Sequence, residues 1–379
     1  SKQSVKEAID ALGLDIPTDQ QLQGVQWTPK AIDISKNLPE QLSEASSYYF
    51  PYNDCSDELM YLGKNLLALV GGYPRVIHIF DVEKGKVVWC LNSAARMGYA
   101  IYDESRNVVY VARDGSSTAN YITAHDPDTG KELWKKPCKL TNSSEQFGTV
   151  FVQNSTHIIH ANIRKDVLYF VNKDTAKLDA KLNMENGVAC SAYFTEDNTM
   201  CVYQNNLYVA GVNRKQDCFT VDKYDISTQT FTGTIFTSNL GERMSDFIAV
   251  DNILYLFDDR GILYKMDLTD GKIIAKVAHG TEGQKTPDDI RIRKLKRAGD
   301  KLVYTLRNYT KDEDINREYD LATDKISPYT PVKINEKGLK YGKEKWLTIK
   351  QLILGDSIFE VQKEAWSSSS KSCFLHRLN

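Results

Sequence analysis

The sequence has no run of about 18 apolar residues, the length a bilayer-crossing helix needs. Its opening residues, SKQSVKEAIDALG, lack the apolar core of a cleavable signal. Both absences predict a soluble chain in the cytoplasm, although a start other than Met leaves a trimmed signal open. An excess of one charge is missing too, since 48 basic and 50 acidic side chains leave a net charge of −2. No global field draws the chain to nucleic acid or an anionic membrane, so any electrostatic partner site has to be local. The seven cysteines form no CxxC pair. That removes the spacing of zinc sites and dithiol exchange and reads the thiols as small buried hydrophobes in a reducing compartment. Motifs of the forms GxxxxGK[ST], GxGxxG and GxSxG are also lacking, so phosphate cradles, dinucleotide turns and nucleophile elbows have no sequence support.

What is present is repetition. FDVEKGKVVW (Phe80 to Trp89) returns as HDPDTGKELW (His125 to Trp134), with Asp, Gly and Trp each displaced by 45 residues. Degenerate copies follow: VNKDTAKLDA with Asn172 and Ala176, YDISTQTFTG with Asp225, MDLTDGKIIA with Asp267 and Gly271, and YDLATDKISP with Asp320. The closing FLHRLN puts Arg377 in the Asp slot, which makes seven copies. A repeat of this length marks propeller blades. Each copy follows strand-like runs of period two, as in half-buried antiparallel sheets.

In the clearest blade, strand A lies near GYAIYDE, B at NVVYVARD, C at NYITAHD and D at KELWKK, joined C to D by the quoted turn. An Asp there can accept from amides two residues on, and a Gly can take positive φ, so the motif is a hairpin turn. The Trp then supplies apolar bulk between blades. The last copy stops after strand C, and residues 22–28, which include GVQW with its Trp27, are expected to pair with FLHRLN and close the ring. Ahead of them, Ser4 and Glu7 form a capping box for a short helix with Val5, Ile9 and Leu12 on one face. The expected fold is therefore all-β: a seven-bladed β-propeller of four-stranded antiparallel blades, with residues 1–20 as helix and linker and 21–379 as one domain.

The pattern AxDxxTGKxxW, carried by ITAHDPDTGKELW and in part by IHIFDVEKGKVVW and LYKMDLTDGKIIA, resembles the repeats of quinoprotein-alcohol-dehydrogenase-like and WD-repeat-like β-propellers. The resemblance implies the fold more than a function. Enzymes of the quinoprotein group hold pyrroloquinoline quinone with a calcium ion. This chain has no vicinal cysteine pair of the kind some of them use and is shorter than their usual eight blades, so no cofactor is expected.

Metal and acid-base readings give way to structural ones. His157 and His160 are three apart on a strand and face opposite ways. DPDTG has oxygen ligands but not the remainder of a calcium loop. The basic run RIRKLKR (Arg291 to Arg297) reads as a solvated strand face with Ile290, Ile292 and Leu295 inward, and it lacks the aromatics that would stack nucleic acid bases. Propellers bind where the segments entering each inner strand converge. Here those segments nominate Arg96, Gln146, Arg243, Asp246, Asp289 and Arg291 as a polar rim, with Phe147, Trp346, Tyr48 and Tyr49 as apolar anchors. No catalytic residue is assigned. The expected function is a monomeric, non-enzymatic scaffold presenting this mouth to a protein or peptide. The alternative is an enzyme or sugar-binding lectin using the same mouth. Three sequons, at Asn142, Asn154 and Asn308, would matter only in a secretory setting.

Overall fold

A computed structural model describes residues 27–379 apart from 43, 51–57, 72–75, 93–98, 116–118, 144, 146–150, 163, 189–199, 242–243, 259–261, 279–289, 309–310, 331–345 and 365–372. The expected helix therefore lies outside the described residues, and among those residues every regular element is a strand.

The alternating apolar runs of the sequence become β1 (Glu44–Phe50), β2 (Glu58–Gly63), β3 (Leu66–Gly71), β4 (Val76–Asp81), β5 (Lys86–Asn92), β6 (Tyr99–Asp103), β7 (Val108–Gly115), β8 (Ala119–His125) and β9 (Cys138–Lys139). The chain continues through β10 (Phe151–Gln153), β11 (His157–Asn162), β12 (Val167–Asn172), β13 (Lys177–Asn183), β14 (Gly187–Val188), β15 (Met200–Tyr203), β16 (Asn206–Asn213), β17 (Cys218–Asp225) and β18 (Thr230–Thr237). It ends with β19 (Met244–Val250), β20 (Ile253–Asp258), β21 (Ile262–Asp267), β22 (Lys272–Ala278), β23 (Ile290–Ala298), β24 (Lys301–Asn308), β25 (Glu313–Asp320), β26 (Ile326–Pro328), β27 (Trp346–Leu354), β28 (Ser357–Glu364) and β29 (Cys373–Leu378). These pair as seven antiparallel sheets, each a four-stranded meander except that the last is completed by β1 beside β29 and the fourth gains a fifth strand because β14 and β15 both pair with β16. The fold is an all-β seven-bladed propeller of four-stranded antiparallel blades.

The chain forms two compact units, one of Ser1–Lys135 with Val332–Asn379 and the other of Lys136–Pro331. In the first, Leu67, Leu69, Phe80, Phe359, Val361 and Leu375 share one buried cluster, and Ala68, Val70, Ile77, Ile79, Val109 and Val111 share another. Alternation along β3 thus sends successive residues to cores on the two sides of one sheet. In the second unit the same division recurs along β20, where Leu254 and Leu256 pack with Tyr208 and Phe219, and Tyr255 and Phe257 pack with Leu302 and Tyr304.

The repeated Asp does what its turn chemistry predicts. Oδ1 of Asp81 accepts from the amides of Glu83 and Lys84, Asp126 from Asp128 and Thr129, Asn172 from Asp174 and Thr175, and Asp320 from Ala322 and Thr323. The residue four positions on closes the turn with positive φ, whether it is Gly85 (65°), Gly130 (72°) and Gly271 (71°) or Ala176 (55°), Gln229 (51°) and Asp324 (58°). A second bond ties this turn to the A-to-B hairpin of the same sheet. The amide after the Asp slot donates to Asn65 O from Val82, to Asn205 O from Ile226, to Asn252 O from Leu268 and to Asp300 O from Leu321, at 2.8–3.0 Å.

Two expectations change in detail. An N-terminal strand does pair with Cys373–Leu378, but it is Glu44–Phe50 and not residues 22–28. Residues 22–26 lie outside the described residues, and Trp27 and Thr28 belong to no strand. The predicted D strand KELWKK is reduced to one isolated bridge between His125 and Glu132, with β9 beginning only after Pro137, a residue that cannot donate to a ladder.

Candidate binding surface

Each meander has two ends. One holds the A-to-B and C-to-D hairpins and repeats the bonds just described; the other holds the start of each first strand and the B-to-C hairpin. Candidate binding residues belong to this second end, where the bonding changes from blade to blade.

In the second unit, Asn162 ends β11 fully buried, its Oδ1 accepting from the amides of Arg164 and Lys165 while its Nδ2 donates to Glu145 at 2.5 Å. Lys165 Nζ reaches the other Glu145 oxygen at 2.7 Å. Asn213 caps the next hairpin through the amides of Lys215 and Gln216. Arg214 from that hairpin lies 3.8 Å from Asp166 of the preceding one. Asn308 caps Lys311, and Arg307 pairs with Asp312 and Asp314. Arg164, Lys165, Arg214 and Lys215 are exposed, whereas Asp312, Glu313 and Asp314 give a later hairpin the opposite sign. Sequence reasoning missed this row, yet an Asn followed by Arg-Lys recurs in NIRKD and NRKQD.

Of the predicted rim, Arg96, Gln146, Phe147, Arg243 and Asp289 lie outside the described residues. Arg291 and Trp346 stand at the starts of β23 and β27, opposite Arg307 and Glu364. Asp246 is near the start of β19, but it is 2% exposed and its Oδ1 accepts from the Phe247 amide at 2.8 Å. Tyr48 and Tyr49 lie elsewhere in the sheet. Both stand on β1, at the far edge of its sheet from β27, where Tyr48 packs on Phe50 and Phe80 and Tyr49 on Phe374. In RIRKLKR, Ile292 and Leu295 are both buried although three residues apart, because a bulge between Arg293 and Lys296 resets the alternation.

Other reactive side chains are absorbed by structure. Asp222 is 1% exposed and accepts from Thr234 (2.7 Å), Asn186 (3.1 Å) and Thr220 (3.3 Å); burial raises its pKa against the pull of those donors. Gly211 makes room for it, since a Cβ there would sit 2.5 Å from Thr220 Oγ1 and 2.7 Å from Asp222 Oδ2. His157 Nε2 lies 2.7 Å from Asp179, and His160 packs on Phe151, so the two histidines serve different neighbours. Burial pushes the thiols of Cys138 and Cys201 up to about 12. Asn154 and Asn308 spend their sequon side chains on turn caps, while Asn142 is exposed.

Comparison with known proteins agrees with the blades. The chain is a β-propeller, and part of it matches a model of PQQ-like repeats. Residues 74–210 match a family model described as outer membrane protein assembly factor BamB. The fold is similar to the crystal structure of BamB from Moraxella catarrhalis, with a TM-score of 0.50 and 12% identity over 89% of this chain and 97% of that one. It is equally similar to the computationally designed protein Ika8, with a TM-score of 0.50 and 11% identity over 84% of this chain and 83% of the other. At such identities the likeness concerns fold alone. No curated protein sequence matches this chain.

Proposed function

We propose that this propeller is a non-enzymatic scaffold that holds a protein or peptide partner on the end of its blades formed by first-strand starts and B-to-C hairpins. The observation behind this reading is the contrast between the two ends of the meander. One end repeats the same Asp or Asn cap and the same inter-hairpin amide bond. The other keeps an Asn cap at 162, 213 and 308 but changes its charge and its side-chain pairs, from Arg164, Lys165, Arg214 and Lys215 on two successive hairpins to Asp312, Glu313 and Asp314 on a later one. Recognition diversifies on loops carried by a constant scaffold. The matched family description, an assembly factor for other proteins, supports the same role. In this proposal the chain acts as a monomer in the cytoplasm and needs no cofactor.

Photo-crosslinking residues placed at 164 and 214, and as controls at 128 and 270 on the opposite end, test the assignment. The expected result is one discrete adduct in cells from 164 and 214 only. Equal crosslinking from both ends, or from 128 and 270 alone, overturns it. Reversing charge with Lys165→Glu and Lys215→Glu should weaken capture of that same adduct partner at least about tenfold, the loss of roughly 1.4 kcal/mol, and Lys215→Glu alone, which leaves the Lys165–Glu145 pair intact, should weaken it while thermal unfolding stays unchanged.

A further inference from the structure

In the last sheet the strand beside β29 is β1, so no C-to-D hairpin joins the two, and Arg377 stands in the slot of the repeated Asp. Residues Trp27 to Lys36 occupy the corresponding surroundings. Arg377 is 1% exposed; its guanidinium donates to the carbonyls of Lys30 and Ala31 and to Ser357 Oγ, and it lies 5.2 Å over the Phe359 ring. In other sheets the A-to-B hairpin receives an amide from the C-to-D turn; here the A-to-B hairpin at Gly355–Asp356 is met by the segment itself. A Cβ on Gly355 would sit 1.9 Å from Asp33 O, and Lys30 and Lys36 lie 3.8 and 3.9 Å from Asp356. The segment also reaches the first sheet. The Ile32 amide donates to Asn65 Oδ1 at 2.8 Å, and the Trp27 indole donates to Val82 O at 2.7 Å while its ring covers Gly85. Thr28 N donates to Ser46 Oγ, which links the segment to β1.

We infer that residues 27–36 are a clasp: a detachable, non-covalent substitute for the missing turn, keyed by Arg377, whose release frees β1 from β29 without unfolding the neighbouring sheets. The other turns are joined to both of their strands by the chain and cannot leave. This one is held by side chains, two backbone carbonyls and exposed ion pairs, and so belongs at the low-stability end of the molecule. The inference is independent of the proposed binding function.

Native-state hydrogen exchange on the full chain tests it. With Arg377→Gln, amides of residues 28–36 and of β1 should exchange at least about tenfold faster while those of β7 and β8 keep their wild-type rates. Unchanged exchange in the segment overturns the clasp, and so does acceleration spread equally over β7 and β8. If Arg377→Gln does not fold, Gly355→Ala decides: its Cβ evicts Asp33, so it should give the same local pattern. Gly271→Ala, with a similar φ of 71° but ordinary 3.6 Å contacts, should leave the segment protected. The clasp is refuted if Gly355→Ala leaves the segment protected or if Gly271→Ala opens it equally.

Discussion

The turns at Asp126–Gly130 and Asn172–Ala176 share one backbone course, with an Asx cap at the first residue and positive φ at the last. They differ in what lies against them. Trp89 stacks on His125 with ring centroids 5.2 Å apart, donates to Pro127 O at 2.9 Å, and lies where a Cβ on Gly130 would fall 2.7 Å from its ring. Trp27 repeats the arrangement over Val82 and Gly85. In the third repeat the residue after the cap is Lys173, buried and donating to Gln153 and the Asn154 carbonyl, and Ala occupies the last position. Positive φ alone is therefore met by Ala, Gln or Asp at a modest steric cost, whereas the indole contact requires Gly.

The largest effect expected from this contrast is in Trp89→Ala, which removes a buried ring and its hydrogen bond and should destabilise by about 3–5 kcal/mol in urea unfolding. Gly130→Ala comes next, by about 2–3 kcal/mol, of which roughly 1 kcal/mol is the left-handed backbone and the remainder the collision with the indole. Combining the two separates those parts, because only the backbone cost should survive once Trp89 is Ala. Strict additivity in the double mutant would show that the ring does not set the requirement for Gly130. Ala176→Gly works in the opposite direction. It relieves positive φ with no indole involved and should stabilise by up to about 1 kcal/mol, so a destabilisation would break the comparison.

The same contrast explains what the sequence made legible. Blade number, the order of strands and the role of the Asp slot were readable because hairpin turns leave a local signature, four residues with a cap and a positive φ. Trp27 was recognisable as the partner of a D-strand Trp, since GVQW ends as KGKVVW and TGKELW do; its strand was misplaced because the indole contact needs only the ring, while pairing with β29 needs the alternating run at Glu44–Phe50. The clasp could not be read at all. It joins Arg377 to Lys30 and Asn65 to Ile32 across distances in sequence that leave no periodic trace. The predicted rim was chosen from residues entering first strands. The charged hairpins beside them went unseen because their Asn caps are spaced by blade lengths that vary.

The smallest effect concerns acid. Amides of Thr129 and Asp128 and the Thr129 hydroxyl hold Asp126 below the usual carboxylate range, the Thr129 amide foremost. Asp225, Asp267 and Asp320 are lowered in the same way, by hydroxyl and amide donors of their own turns. With the folded pKa below the unfolded one, the stabilisation is complete above about pH 4 and is lost as pH falls through the lower, folded value, because the unfolded chain takes up its proton first. Asn172 has no such proton to gain. Asp126→Asn keeps the accepting Oδ1, so it should unfold near the wild-type urea midpoint at neutral pH and lose less of that midpoint between about pH 5 and pH 3. Asp320→Asn, which keeps an acceptor for the amides of Ala322 and Thr323, should also lose less. Parallel acid curves for all three proteins would mean that the caps are not tighter for a charged oxygen than for a neutral one, and that Asp and Asn are interchangeable at this slot for reasons of shape alone.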